Sequence, residues 1–160
     1  MQTIKPGETL SLTGNSGEKV DITATSGALL GPPWQATENG YIIQGKDFPS
    51  FYYEPHCMFD AAELSKFKVD CVITPIVPQR LPGYTLVDGG KKAIELCRLL
   101  NAKAIIPMAN GELDASGILS RLLITPGERG VEDFENMLRD SSIKTKLMKA
   151  PAGDSIKIQI

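Results

Sequence analysis

From Thr9 to Glu54 apolar and polar positions alternate in short runs set apart by turn residues. Thr9-Leu10-Ser11-Leu12-Thr13 and Val20-Asp21-Ile22-Thr23-Ala24-Thr25 have a period of two, as strands with one buried face do. Asn15-Ser16-Gly17-Glu18 supplies a turn between them, so the pair predicts a hairpin. Gly40-Tyr41-Ile42-Ile43-Gln44 and Ser50-Phe51-Tyr52-Tyr53-Glu54 predict two more strands. Between the pairs, Ser26 to Thr37 contains Gly27, Gly31, Pro32 and Pro33 and is expected to be a loop. It carries Trp34, expected to cover one end of the core.

After Glu54 the period changes. Asp60 is placed to cap a short helix running through Lys66, with Ala62 and Phe67 or Leu64 inward. Val69-Asp70-Cys71-Val72-Ile73 predicts an apolar strand, and Asp88 is placed to cap a helix over Gly90 to Asn101. In that helix Ala93, Leu96, Cys97 and Leu100 fall at i, i+3, i+4 and i+7, a single buried stripe. Lys103 to Pro107 is the next strand, and strand–helix–strand in this order predicts a parallel pair. The long connection from Met108 to Gly130 is expected to hold a helical turn over Ile118 to Leu123. Val131 to Asp140 predicts a helix, with Glu132 and Asp133 at its start, Arg139 near its end, and Val131, Phe134 and Leu138 on one face. Thr145 to Lys149 and Ser155 to Ile160 predict the last strands. The sum is an α/β (α+β) domain over residues 1–160, a mixed sheet with helices on one face. The other face is apolar and left to a partner.

Composition narrows the function classes. A chain of 160 residues, 42% hydrophobic and 22% charged, can build one core without staples. A net charge of −2 and the lack of a basic run argue against nucleic-acid binding. No apolar run approaches the ~18 residues that span a bilayer, so no membrane association is expected. Cys57, Cys71 and Cys97 are odd in number and form no C-x-x-C pair. They predict core thiols in a reducing, cytoplasmic compartment, or an organelle if a longer parent carries a targeting signal.

Candidate chemistry gathers at Tyr52-Tyr53-Glu54-Pro55-His56-Cys57-Met58-Phe59-Asp60, which holds the only histidine. His56 with Glu54 and Asp60 is the candidate metal or acid–base cluster. A hydrogen-bonded histidine in a polar turn is the simpler account, because one histidine with two acids is a thin donor set for zinc. Asp88-Gly89-Gly90-Lys91-Lys92 offers a helix start to an anion but lacks a P-loop pattern, and a capped helix explains it. Asn110, Glu112 and Asp114 are polar residues of a Gly-bearing loop.

Four pieces in order resemble the metallo-β-lactamase fold, its C-terminal half in particular. They are Val20-Asp21-Ile22-Thr23-Ala24-Thr25, Glu38-Asn39-Gly40-Tyr41-Ile42, Phe51-Tyr52-Tyr53-Glu54, and Ala104-Ile105-Ile106-Pro107-Met108. The resemblance implies half of an αββα sandwich and descent from metal-dependent hydrolases that use zinc, iron or manganese. It also implies a metal-bound hydroxide attacking an ester, amide or phosphoester. The family's His-x-His-x-Asp-His run is absent. Where its C-terminal half adds ligands, this chain reads Ser26-Gly27-Ala28-Leu29, Glu54-Pro55-His56 and Ala109-Asn110-Gly111-Glu112. The expectation is a truncated or degenerate member that is not hydrolytic alone and pairs through its uncovered sheet face, with a second copy or an N-terminal half. The alternative is the C-terminal part of a metal-dependent hydrolase active only with that N-terminal half.

Overall fold

A computed structural model describes residues 3–81, 84–108, 130–150 and 153. The alternating segments form β1 (Thr9–Thr13), β2 (Lys19–Ser26), β3 (Asn39–Gly45) and β4 (Phe51–Tyr53), each antiparallel to the one before. Helix α1 (Ala61–Leu64) then returns the chain to β5 (Cys71–Pro75), which runs parallel to β4. Helix α2 (Lys91–Leu99) leads to β8 (Ala104–Met108), parallel to β5 as the strand–helix–strand order predicts. Between β5 and α2 lies a small hairpin of β6 (Gln79–Leu81) and β7 (Tyr84–Val87), which periodicity over such short runs does not reveal. Helix α3 (Gly130–Asp140) and β9 (Lys146–Leu147) follow, and the main sheet has the order β1-β2-β3-β4-β5-β8-β9. The turn expected at Ile118 to Leu123 and the strand expected at Ser155 to Ile160 lie outside the described residues.

Register fixes which side chains share a face. Ile42, Tyr52, Val72, Ile105 and Leu147 are successive partners across the sheet. They pack with Leu64 of α1, Ala93, Leu96 and Cys97 of α2, and Phe134 and Leu138 of α3. All three helices therefore lie on one face. The opposite row holds Leu10, Ile22, Ile43, Phe51, Cys71 and Ala104, with Tyr41, Tyr53, Ile73 and Ile106 beside it. Over β1 and β2 the helix side carries Thr9, Ser11, Asp21 and Thr23 instead, so the apolar side of that hairpin is the one away from the helices. Period-two patterning permits only this assignment, since a one-residue slip would reverse every side chain.

The cysteines are buried core residues, as expected. Burial pushes the Cys71 thiol up to about 11 and that of Cys97 up to about 12, and it raises Cys57 as well, so none is a thiolate at neutral pH.

Two local expectations are corrected. Asp88 does not cap α2: the N-cap is Gly90, and the Asp88 carboxylate instead accepts the Gly89 N–H and faces Arg80 at 3.6 Å. Trp34 does not cover the core, for it is 85% exposed. Its loop closes on itself, with Gly27 N–H donating to the Glu38 carbonyl and Glu38 N–H to the Ala28 carbonyl, both at 2.8 Å. That closure, with a turn from Gln35 N–H to the Pro32 carbonyl at the tip, carries Trp34 outward.

Asp60 does cap α1, its Oδ1 accepting from Ala62 N at 2.8 Å and Glu63 N at 3.0 Å. Leu64 turns inward with Phe67 against the core, while Ala62 is exposed. Replacing Asp60 with Ala is expected to lower stability by about 1 kcal/mol in denaturant titration. The same change should leave the His56 imidazole signals unmoved in NMR spectra.

Candidate functional site

The end of the sheet where β2 stops, β3 begins and β4 stops brings four segments together: Ser26–Ala28, Glu38, Glu54–Met58, and the stretch around Asp88. Glu54 continues the β4 ladder, its N–H donating to the Ile73 carbonyl at 3.1 Å, and its own carbonyl accepts from Thr74 Oγ1 at 2.9 Å. Its side chain is fully buried. One carboxylate oxygen, Oε2, accepts the N–H groups of His56 (3.0 Å) and Met58 (2.8 Å), which folds the chain into the turn after β4. The other, Oε1, is buried without a hydrogen-bond partner among the described residues. Burial pushes the Glu54 carboxyl up to about 7, against the lowering effect of the N–H donors, and nearby Glu38 adds to the rise.

The turn overrides strand alternation. Had the strand run on, Glu54 and His56 would be placed by the strict two-residue repeat; instead it ends at Tyr53 and His56 folds back. His56 Nδ1 lies 3.9 Å from Glu54 Oε1 and 3.4 Å from Glu38 Oε2. The His56 carbonyl accepts from Asp88 N–H at 2.7 Å, tying the turn to the segment before α2. Gly27 completes the wall: a Cβ there would stand 2.9 Å from the Glu38 carbonyl oxygen and 3.3 Å from Glu54 Oε1. Only glycine allows that approach.

Of the three predicted site residues the structure joins two, Glu54 and His56. Asp60 is turned away as the cap of α1. Glu38 belongs to the cluster and was not among the predicted residues. Its only sequence signal is register: Ser26 pairs with Asn39, so whatever precedes Asn39 must sit beside Gly27. Asn110, Glu112 and Asp114 lie outside the described residues.

The metal that the family resemblance implies does not fit this donor set. No group of three or more His, Cys, Asp or Glu side chains among the described residues is arranged to hold an ion. The two unpartnered atoms, Glu54 Oε1 and His56 Nδ1, are buried against each other and Glu38. What the arrangement can do by itself is hold and orient a proton on an imidazole between two acids.

Comparison with known proteins agrees with the fold. A family model described as a beta-lactamase superfamily domain matches residues 1–109. A UPF0173 metal-dependent hydrolase of Thermodesulfovibrio yellowstonii is 27% identical over 124 residues, 75% of this chain and 40% of that protein. A structure from Thermotoga maritima, assigned to the Zn-dependent hydrolases of the metallo-β-lactamase superfamily, is 21% identical, with a TM-score of 0.50. The match covers 84% of this chain and 57% of that one. Isothiocyanate hydrolase from Delia radicum gut bacteria is 12% identical with a TM-score of 0.60, over 99% of this chain and 60% of that one. At these identities the two structures speak for the fold alone. The chain spans less than two thirds of each of these relatives. With a family model covering most of its length and a mixed α/β sheet matching the superfamily's structures, this chain belongs to the metallo-β-lactamase superfamily.

Proposed function

We propose that this chain is a half-sandwich module of the superfamily that does not hydrolyse substrate alone and acts by pairing its helix-free sheet face with a second β-sheet layer of like architecture. The observation that carries this is the apolar row on that face. Leu12 is 44% exposed, and Ile22, Tyr41, Ile43, Phe51, Tyr53, Ile73 and Ile106 are only partly buried. These part-exposed apolar residues share one face of the sheet, whereas the ordinary surface pattern is single scattered apolar side chains. A second copy presents the same row and is the partner to test first; a separate N-terminal half is the other.

Ile43 stands near the middle of the face, and Ile43→Lys places a charge there without touching the helix-side core. Light scattering coupled to size exclusion should show a dimer, or a monomer that binds a hydrophobic dye, and the variant should lose either property while keeping its circular dichroism. A clean wild-type monomer that binds no dye would count against the reading.

A second reading rests on the 27% identical relative, which is named as a metal-dependent hydrolase. In it the turn at Glu54–His56 and the loop after β2 wall a pocket that is complete only with the N-terminal half. Hydrolysis of an ester, amide or phosphoester that appears only on adding such a half would favour it.

A further inference from the structure

The structure buries Nδ1 of the only histidine beside two acids. Among the described residues Nδ1 is buried without an aligned hydrogen-bond partner, and 18% of the side chain stays exposed. Nδ1 faces carboxylates from two elements, Glu38 Oε2 at 3.4 Å and Glu54 Oε1 at 3.9 Å. The backbone on either side is fixed, the His56 N–H by Glu54 Oε2 and the His56 carbonyl by Asp88 N–H. The Asp88 carboxylate itself is engaged with Gly89 N–H and Arg80.

A neutral imidazole carries one proton, on one of its two nitrogens, and its surroundings choose which. A lone pair at the buried Nδ1 would face two acceptor oxygens, and the one on fully buried Glu54 is little screened by water. A proton at Nδ1 is attracted to both, even where the angle is not ideal. The competing arrangement, a proton on Glu54 Oε1 donated to Nδ1, has to bridge the longer of the two separations.

We propose that Glu38 and Glu54 are positioning residues that hold neutral His56 as its Nδ1–H tautomer, so that Nε2 keeps the lone pair that can accept from a hydroxyl, water or other hydrogen-bond donor. One carboxylate of Glu54 then has two tasks: Oε2 shapes the turn and Oε1 orients the ring within it. This inference concerns the chain's own side chains and stands whether or not the sheet face pairs.

His56 is the only histidine, so one set of imidazole nitrogen signals reports the state directly. A two-bond proton–nitrogen correlation spectrum of the full labelled chain is recorded at alkaline pH, well above the value of about 7 to which the Glu54 carboxyl is raised. The expected pattern is a protonated-type Nδ1 and an unprotonated-type Nε2. Glu38 is half exposed, so Glu38→Ala should fold, and it should move the Nε2 signal toward the protonated range while amide signals elsewhere stay in place. Glu54→Gln should move it in the same direction. An Nε2–H ring in the wild type, or an Nδ1–H ring unchanged by Glu38→Ala, overturns the proposal.

Discussion

Replacing Tyr52 with Ala is expected to lower the free energy of unfolding by about 3–5 kcal/mol, the range for truncating a large buried ring. Tyr52 is fully buried between Ile42 and Val72 at the centre of the sheet. Its hydroxyl lies 3.3 Å from Thr25 Oγ1, and Gly40 leaves room for it, since a Cβ at position 40 would stand 2.5 Å from that oxygen. Burial raises the phenol above its usual range, so it remains a neutral group within the core. A domain has only about 5–15 kcal/mol in total, so the variant should have a much lower denaturant midpoint. Tyr52→Phe should be mild, because it removes one long hydrogen bond and leaves the ring in place. If the alanine variant lost less than about 1 kcal/mol, Tyr52 could not be the tie between helix-side core and sheet centre.

The second large effect is a pH dependence set by Glu54. Its folded-state carboxyl is raised from an ordinary 4.5 to about 7, so between those values the folded chain binds a proton that the unfolded chain has released. Stability from this group is therefore greatest below about pH 4.5, falls as pH rises through the window, and is level again above about pH 7. At 1.36 kcal/mol per pH unit, the full change is on the order of 3 kcal/mol. Glu54→Gln removes the titration while keeping an oxygen that can accept from His56 and Met58. Denaturant titrations at a series of pH values should show the wild type losing stability relative to the variant between pH 4.5 and 7. Parallel curves would mean that Glu54 titrates normally and that its buried oxygen has a partner.

The same two residues show how far the sequence reaches. The run Ser50-Phe51-Tyr52-Tyr53-Glu54 predicts a strand, and i, i+3, i+4 spacing predicts the buried stripe of α2. Both hold because period and burial are local properties of the chain. The parallel pairing of β5 with β8 follows from the intervening helix. The hairpin of β6 and β7 and the outward placement of Trp34 are not local in that way. The first rests on pairing between runs too short to show a period. The second rests on backbone hydrogen bonds that close the loop at Gly27, Ala28 and Glu38.

His56 with its acids divides along the same line. The sequence by itself determined that any imidazole chemistry must be at His56, that the family's histidine-rich metal run is missing, and that one sheet face would be apolar. These are matters of residue identity and period. Only the tertiary structure decided which acids His56 meets. Asp60, four residues on, is taken by the first turn of α1, whose free N–H groups hold its carboxylate. Glu38, far back in the chain, is delivered by the pairing of β2 with β3. Strand register carries a side chain across any sequence distance, whereas a helix start captures the acid next to it; that difference gave the site Glu38 and removed Asp60.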